Sequence, residues 1–188
     1  ALPIYNLEFK NALRLIKTEL VVIKPINESG GKGVSIISKA KAKKFVLTSE
    51  HLIQEFIDSS HGVPGIGGGT HDLRLVFINE KIIYCYTREP EIGSLLANLA
   101  LGGKLKIVPK KFIPSSVTPI IERAHWIFKS FTPRVYTIDI MFDENERPWV
   151  VELNSMPGLY FTPEEKVSMM KMYQALIDMF KDKFHSIP

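Results

Sequence analysis

A chain of 188 residues with 45% hydrophobic content holds enough apolar material for one domain, or one domain in two lobes, without disulfides or a structural metal. Its net charge of +4 is dispersed except at residues 39–44 and 181–183, which read as solvated helix faces and argue against a nucleic-acid surface. No apolar run is long enough to span a bilayer, no signal peptide opens the sequence, and the single cysteine, Cys85, forbids an intrachain disulfide, so the expected setting is reducing and cytoplasmic.

In chain order, residues 12–19 fit a short helix with Leu13, Ile16 and Leu20 toward one side. Residues 20–24 read as an apolar strand, followed by a glycine-rich turn and a second strand over 34–37. Residues 39–44 resemble a short surface helix, and 52–57 form an apolar strand interrupted by Gln54 and Glu55. Residues 58–71 carry Gly62, Gly65, Gly67, Gly68 and Gly69, a backbone too permissive for a regular element, and read as a long mobile loop. Strands over 72–78 and 81–88 follow, joined by the tight turn Asn79-Glu80, with Cys85 as a buried strand residue rather than a nucleophile. Residues 94–103 are irregular or briefly helical, 104–108 a strand, and 119–130 a helix with proline near its start. Strands over 136–142 and 149–153 pair across a polar turn at 143–147. The last element, 163–184, is an amphipathic helix whose stripe of Val167, Met170, Tyr173, Leu176, Ile177 and Phe180 is assigned to the core. Hairpins with a few flanking helices make the fold class α+β.

The most informative stretch is the last hairpin, Thr137-Ile138-Asp139-Ile140-Met141 with Val150-Val151-Glu152-Leu153-Asn154. Side chains alternate between faces along a strand, so Asp139 and Met141 share one face, as do Val150, Glu152 and Asn154. A turn centred between Asn145 and Glu146 sets Asp139 directly opposite Glu152, with Asn154 diagonally adjacent. Opposed carboxylates in mid-strand repel each other unless compensated. A divalent cation compensates them, and an all-oxygen set of Asp, Glu and Asn suits Mg²⁺, which completes its shell with water and substrate phosphates. Neutralisation by lysine or arginine, or a different strand register, would remove the conflict as well.

Lys24 stands at the end of an apolar strand just before Ser29, Gly30, Gly31, Lys32 and Gly33. Glycine lets backbone N–H groups close around an anion, and lysine adds a point charge. This is no P-loop, because Gly31-Lys32 is followed by glycine rather than Ser or Thr, and by a strand rather than a helix. A purely structural turn reads equally well from these residues alone.

Taken together in order, several stretches resemble the ATP-grasp superfamily, nearest its glutathione-synthetase-like branch, which includes the ribosomal-protein glutamate ligases. They are Val22-Ile23-Lys24-Pro25 with Ser29-Gly30-Gly31-Lys32-Gly33-Val34, Ile53-Gln54-Glu55-Phe56-Ile57, Asp72-Leu73-Arg74, Arg88, and Asn98 with Gly102-Gly103. Tyr136-Thr137-Ile138-Asp139 and Val151-Glu152-Leu153-Asn154-Ser155-Met156-Pro157-Gly158 complete the set.

The resemblance implies two lobes, each an antiparallel sheet with flanking helices, and a nucleotide between them. Residues 1–57 would be the N-terminal lobe with glycine loop and hinge strand, 58–71 the glycine-rich loop, and 72–188 the catalytic lobe. It implies ATP with Mg²⁺, or Mn²⁺, and assigns Lys24 to the α- and β-phosphates, with Ser29, Gly30, Gly31, Lys32 and Gly33 folding over them. Gln54, Glu55, Phe56 and Ile57 would form the adenine hinge, and Asp72 would lie near nucleotide and substrate. Arg88 would face the γ-phosphate and the acyl oxyanion, Asn98 the acceptor side, and Asp139, Glu152 and Asn154 the metal. The implied reaction activates a carboxylate as an acyl phosphate, which an amine or thiol captures. Such chemistry needs positioned charge more than a general base. The lack of a Ser/His/Asp or Cys/His constellation accords with it, and His51, His61, His71, His125 and His185 read as surface or packing groups.

Partners on this reading are ATP and a small carboxylate or peptide, with no nucleic acid and no membrane. The chain begins where family members normally carry a further N-terminal domain, so such a domain, or a homo-oligomer, could complete the substrate side. Two departures concern that side as well: Leu96-Ala97 stand before Asn98 where relatives often have a basic residue, and the Gly62–Gly69 loop, a lid or a tolerated insertion, is longer than usual. A non-catalytic ATP-binding module and a small-molecule kinase on the same fold are the competing functions. Asp139→Asn or Glu152→Gln is expected to abolish Mg²⁺-dependent turnover with the fold intact.

Overall fold

The computed structural model describes residues 2–4, 6–28, 30–47, 49–67, 69, 71–97, 99, 102–158, 161 and 165–185. The chain divides into two compact units, Ala1–Asp58 with Pro90–Gly103, and Ser59–Glu89 with Lys104–Pro188.

The first unit is a four-stranded antiparallel sheet in the order β1-β4-β2-β3, built from β1 (Leu2–Ile4), β2 (Leu20–Pro25), β3 (Ser35–Ser38) and β4 (His51–Glu55). Its helices are α1 (Asn6–Leu15) and the single turn α2 (Lys39–Ala42). Phe9, Leu13 and Ile16 recur at helical spacing and pack with Val21, Ile23, Ala42, Leu47 and Ile53 into one core. Helix α1 therefore starts and stops earlier than the 12–19 span read from the sequence, because the apolar seam extends back to Phe9. Past Leu15 the chain turns, and the Thr18 hydroxyl donates to the Leu20 carbonyl at 2.6 Å. Strand β1 was not anticipated; Pro3 lacks an N–H donor and argues against a strand, but β1 is an edge, where that loss is tolerated.

The second unit is a five-stranded antiparallel sheet in the order β7-β6-β5-β8-β9. Its strands are β5 (Asp72–Ile78), β6 (Lys81–Glu89), β7 (Lys104–Val108), β8 (Val135–Phe142) and β9 (Pro148–Asn154), with helices α3 (Thr118–Phe128) and α4 (Lys166–His185). One face carries Leu73, Leu75, Phe77, Cys85, Tyr136, Ile138, Ile140 and Phe142, packed with Ala124 of α3. On the other face Val76, Ile78, Tyr84 and Tyr86 meet Met172 and Met179 of α4. Burial on both faces explains why β5 and β8 read as nearly continuous apolar runs. Cys85 is buried with its Sγ 3.1 Å from the Val108 carbonyl, and burial pushes the thiol up to about 11, which fits the structural reading. Among the described residues no helix is long and apolar enough to cross a membrane.

The sequence assigned the apolar stripe of the last helix to the core, and the structure overturns this. Val167, Met170, Tyr173, Ile177 and Phe180 are exposed, while the packed side is Met172, Ala175, Leu176 and Met179. Of the expected stripe only Leu176 turns inward. The helix is apolar on two sides, and the smaller, more flexible methionines fit the tyrosine-lined sheet face.

The glycine-rich segment forms no strand or helix among its described residues, but it closes on itself. The Gly62, Ile66 and Gly69 N–H groups donate to the carbonyls of Ser59, Val63 and Ser60. The Val63 N–H donates to His71 Nε2 at 2.9 Å. Gly62 has φ of +74°, and a Cβ there would come within 2.3 Å of the His71 ring and 2.5 Å of the Gly67 carbonyl oxygen. Gly62→Ala is thus expected to cost about 2 kcal/mol, read as a lower urea midpoint with an unchanged slope.

His71 adds a pH dependence. Burial drives its pKa below the ordinary histidine value, against the opposing pull of Glu89 and Asp72. A folded-state value below the unfolded one stabilises above the unfolded pKa of about 6.5 and loses that contribution as pH falls toward the folded value. Stability should therefore decline on acidification from about pH 6.5, and His71→Gln should flatten that part of the urea-midpoint profile.

Candidate functional site

In the first unit, Lys24 is half-buried on β2 opposite Leu52. Alternation places it on the face of Val22 and its register partner Gln54, away from Val21 and Ile23 in the core. The turn after it needs glycine: Gly30, Gly31 and Gly33 have φ of 66°, 82° and 69°, and a Cβ on Gly33 would meet Pro25 Cγ at 2.7 Å. Lys32 is exposed on this turn. Glu55 Oε1 accepts from the Lys17 N–H at 2.8 Å, and the Phe56 N–H donates to Thr18 Oγ1 at 3.2 Å. One backbone donor of the expected hinge is thus spent within the unit; Gln54, Phe56 and Ile57 are half-buried. Ser29 and Asn98 lie outside the described residues.

The second unit holds a charge network on the face that α4 shares, at the opposite end of the strands. Asp139 on β8 pairs in register with Arg74 on β5 on one side and with Glu152 on β9 on the other. Asp72 pairs in register with Arg88 on β6. Register partners point to one face, so the sheet presents these five side chains together. Arg74 grips Asp139 with two bonds, Nε to Oδ1 and Nη2 to Oδ2, both 2.6 Å. Arg88 donates Nη2 to Asp139 Oδ2 at 2.7 Å and Nε to Asp72 Oδ1 at 2.9 Å, with a further short bond from Nη2 to Asp72 Oδ2. Bidentate guanidinium–carboxylate pairs are among the strongest polar contacts in proteins.

Burial governs the electrostatics. It works to raise the Asp139 carboxyl, but the hydrogen bonds and charges of Arg74 and Arg88 outweigh it and hold that carboxyl below the usual range. Asp72 is fully buried, and there burial outweighs the help of Arg88 and raises its pKa. Burial also opposes the charge on Arg88, yet its bonds to Asp72 and Asp139 raise its pKa overall.

The register sets Asp139 opposite Glu152, but the turn is centred on Asn145 rather than between Asn145 and Glu146, and the faces around the pair are corrected as well. Pairing shifts between Asp139 and Ile140, so that Val150 meets Ile140 and Val151 is the additional residue of a bulge. Val150 therefore does not share the face of Glu152 and Asn154. Arg74 is the residue whose role the sequence reading missed. It was visible two positions after Asp72, but its pairing with Asp139 joins strands 65 residues apart.

Whether the oxygen set suits a metal is testable on this geometry. A carboxylate offers about four lone-pair directions, and Asp139 uses three on its arginines, leaving one on Oδ1. Glu152 is exposed and makes no ion pair among the described residues. Asn154 Oδ1 accepts from the Met156 N–H at 3.0 Å and keeps a second lone pair. No group of three or more His, Cys, Asp and Glu converges among the described residues, so a metal here would lean on the amide and on outside oxygens. That donor set fits Mg²⁺.

A family model for the RimK-like ATP-grasp domain matches residues 5–179. A glutathione synthetase of Prochlorococcus marinus subsp. pastoris is 34% identical over 92 residues, covering 45% of this chain and 27% of that protein. A D-alanine–D-alanine ligase of Synechococcus sp. is 22% identical over 143 residues, covering 74% of this chain and 42% of its own. The chain thus spans less than half the length of either relative. Among solved structures, the ATP-grasp ligase PsnB complexed with a phosphomimetic variant of its minimal precursor, Mg and ADP superposes with a TM-score of 0.58 at 13% identity, over 95% of this chain and 52% of that one. This last likeness concerns the fold.

Proposed function

This chain belongs to the RimK-like ATP-grasp family, and we propose that it uses ATP to activate a substrate carboxylate as an acyl phosphate for attack by an amine or thiol. The observation that carries the reading is the neutral, largely buried quartet Asp72, Arg74, Arg88 and Asp139 beside Glu152 and Asn154. Two guanidinium groups held rigid by carboxylates are pre-organised for anionic oxygens that gain charge in a phosphoryl-transfer transition state. A module that only binds nucleotide has less need of such fixed charge.

On this proposal Lys24 contacts the α- and β-phosphates, and Ser29, Gly30, Gly31, Lys32 and Gly33 cover them with backbone N–H groups. Gln54, Glu55, Phe56 and Ile57 receive the adenine. Arg88 faces the transferred phosphoryl group, Asp72 fixes Arg88, and Asn98 lies toward the acceptor. Asp139, Glu152 and Asn154 would hold Mg²⁺, or Mn²⁺, which when bound neutralises charge on the phosphate oxygens. Arg74 orients Asp139 so that its remaining lone pair stays directed. The acyl donor is a small carboxylate or a peptide, and the compartment is the cytoplasm.

Incubating the protein with ATP, Mg²⁺, hydroxylamine and a panel of amino acids and peptides tests the reaction. A hydroxamate product is expected, because hydroxylamine traps an acyl phosphate. ATP consumption with a phosphorylated hydroxyl product and no hydroxamate would indicate a kinase instead, and binding without turnover a nucleotide-binding module. Lys24→Ala should weaken ATP affinity by roughly 10- to 100-fold in calorimetry, the worth of one charge-assisted phosphate contact. Unchanged affinity would remove Lys24 from the phosphate site.

A further inference from the structure

Helix α4 leaves a long apolar seam in solvent. Val167, Met170, Tyr173, Ile177, Phe180 and Phe184 are between 47% and 70% exposed. From Met170 onward they recur at intervals of three, four, three and four residues, the spacing of a coiled-coil seam. The opposite side of the helix is spoken for, since Met172 and Met179 are buried against β5 and β6. An aromatic side chain buries about 150–250 Å² when covered, so half-exposed groups of this size offer roughly 100 Å² each. The seam then amounts to on the order of 600 Å² per copy and about 1,200 Å² for a pair, the lower bound for a specific interface. It also sits at the top of the range for the largest patch on a monomer.

We propose that this seam is a homodimer interface in which α4 packs antiparallel against α4 of a second copy, about a two-fold axis passing between residues 173 and 177. In that alignment Tyr173 meets Ile177 of the second copy, Met170 meets Phe180, and Val167 meets Phe184, so every exposed apolar side chain finds an apolar partner. The flanking charges select the direction. Lys171, Gln174 and Asp178 line one edge of the seam, all exposed, with Gln174 Nε2 donating to Asp178 Oδ1 at 2.8 Å. Antiparallel pairing brings Lys171 beside Asp178 of the second copy, twice by symmetry. A parallel pair would instead set this edge against the opposite edge of the second helix, where Leu176 and Met179 pack on their own sheet, and Lys171 would not meet Asp178.

Sedimentation velocity of the intact chain across the micromolar range tests this. A reversible monomer–dimer equilibrium is expected, abolished by Ile177→Glu, with helical circular dichroism unchanged in this variant and in the charge variants below because positions 171, 177 and 178 are exposed. Asp178→Lys should raise the dimer Kd by about tenfold, the loss of two ion pairs and their replacement by repulsion. Lys171→Asp combined with Asp178→Lys should restore it. A chain that stays monomeric throughout the range overturns the proposal. So does a dimer that Asp178→Lys leaves unchanged, or one that the double swap fails to restore.

Discussion

Asp139→Asn is expected to destabilise the second unit by about 3–5 kcal/mol, the cost of removing one partner from a buried ion pair. The native network balances two carboxylates against two guanidinium groups. The amide accepts at one oxygen only, so it cannot receive the two parallel bonds of Arg74 together with the third from Arg88. Arg88 retains Asp72, but Arg74, which is largely buried, loses its counter-charge. For a chain of this length the shift corresponds to a melting temperature lower by roughly 10 °C. This corrects the expectation that the substitution spares the fold. A thermal midpoint equal to that of the native protein would show that the network contributes nothing to folding. Lost turnover in Asp139→Asn therefore says little about metal binding unless stability is measured alongside.

Glu152→Gln is the cleaner probe, and its expected effect is on chemistry alone. Glu152 is exposed and lacks an ion pair among the described residues, so its stability change should stay within about 0.5 kcal/mol. If it completes the oxygen set with Asp139 and Asn154, Mg²⁺-dependent hydroxamate formation should fall by about 100-fold or more, the scale of losing one group that stabilises transition-state charge. The Mg²⁺ concentration for half-maximal rate should rise in parallel. Native turnover in Glu152→Gln would remove it from the metal set and leave the carboxylate opposition of the hairpin as a structural curiosity.

How far the sequence anticipates this molecule depends on how local the determining contacts are. The turn of the β8–β9 hairpin is centred on Asn145, with Phe142 opposite Pro148, which alone would set Asp139 opposite Val151; Asp139 meets Glu152 only because one residue bulges out. That bulge leaves no mark that alternation can detect, since Val150 and Val151 are chemically alike. The pairing of Arg74 with Asp139 depends on β5 and β8 lying side by side, a choice made by the whole sheet. Helix α4 shows a different limit: methionine, leucine and aromatic residues fall on two sides, and periodicity reveals a stripe without revealing which stripe faces inward. The glycines of this segment, residues 62–69, announce backbone freedom, and at Gly62 the chain uses it to bring its backbone against the His71 ring.

That imidazole is joined by a single peptide bond to the first carboxylate of the arginine lattice. His71 clasps the Val63 amide while Asp72, its neighbour, is clamped by Arg88. Tension on either side must therefore reach the other with almost no slack. A cut or an insertion in the preceding loop would be felt as a misplaced anion on the strand, and acid that charges the ring would slacken the hold on the loop next to that anion.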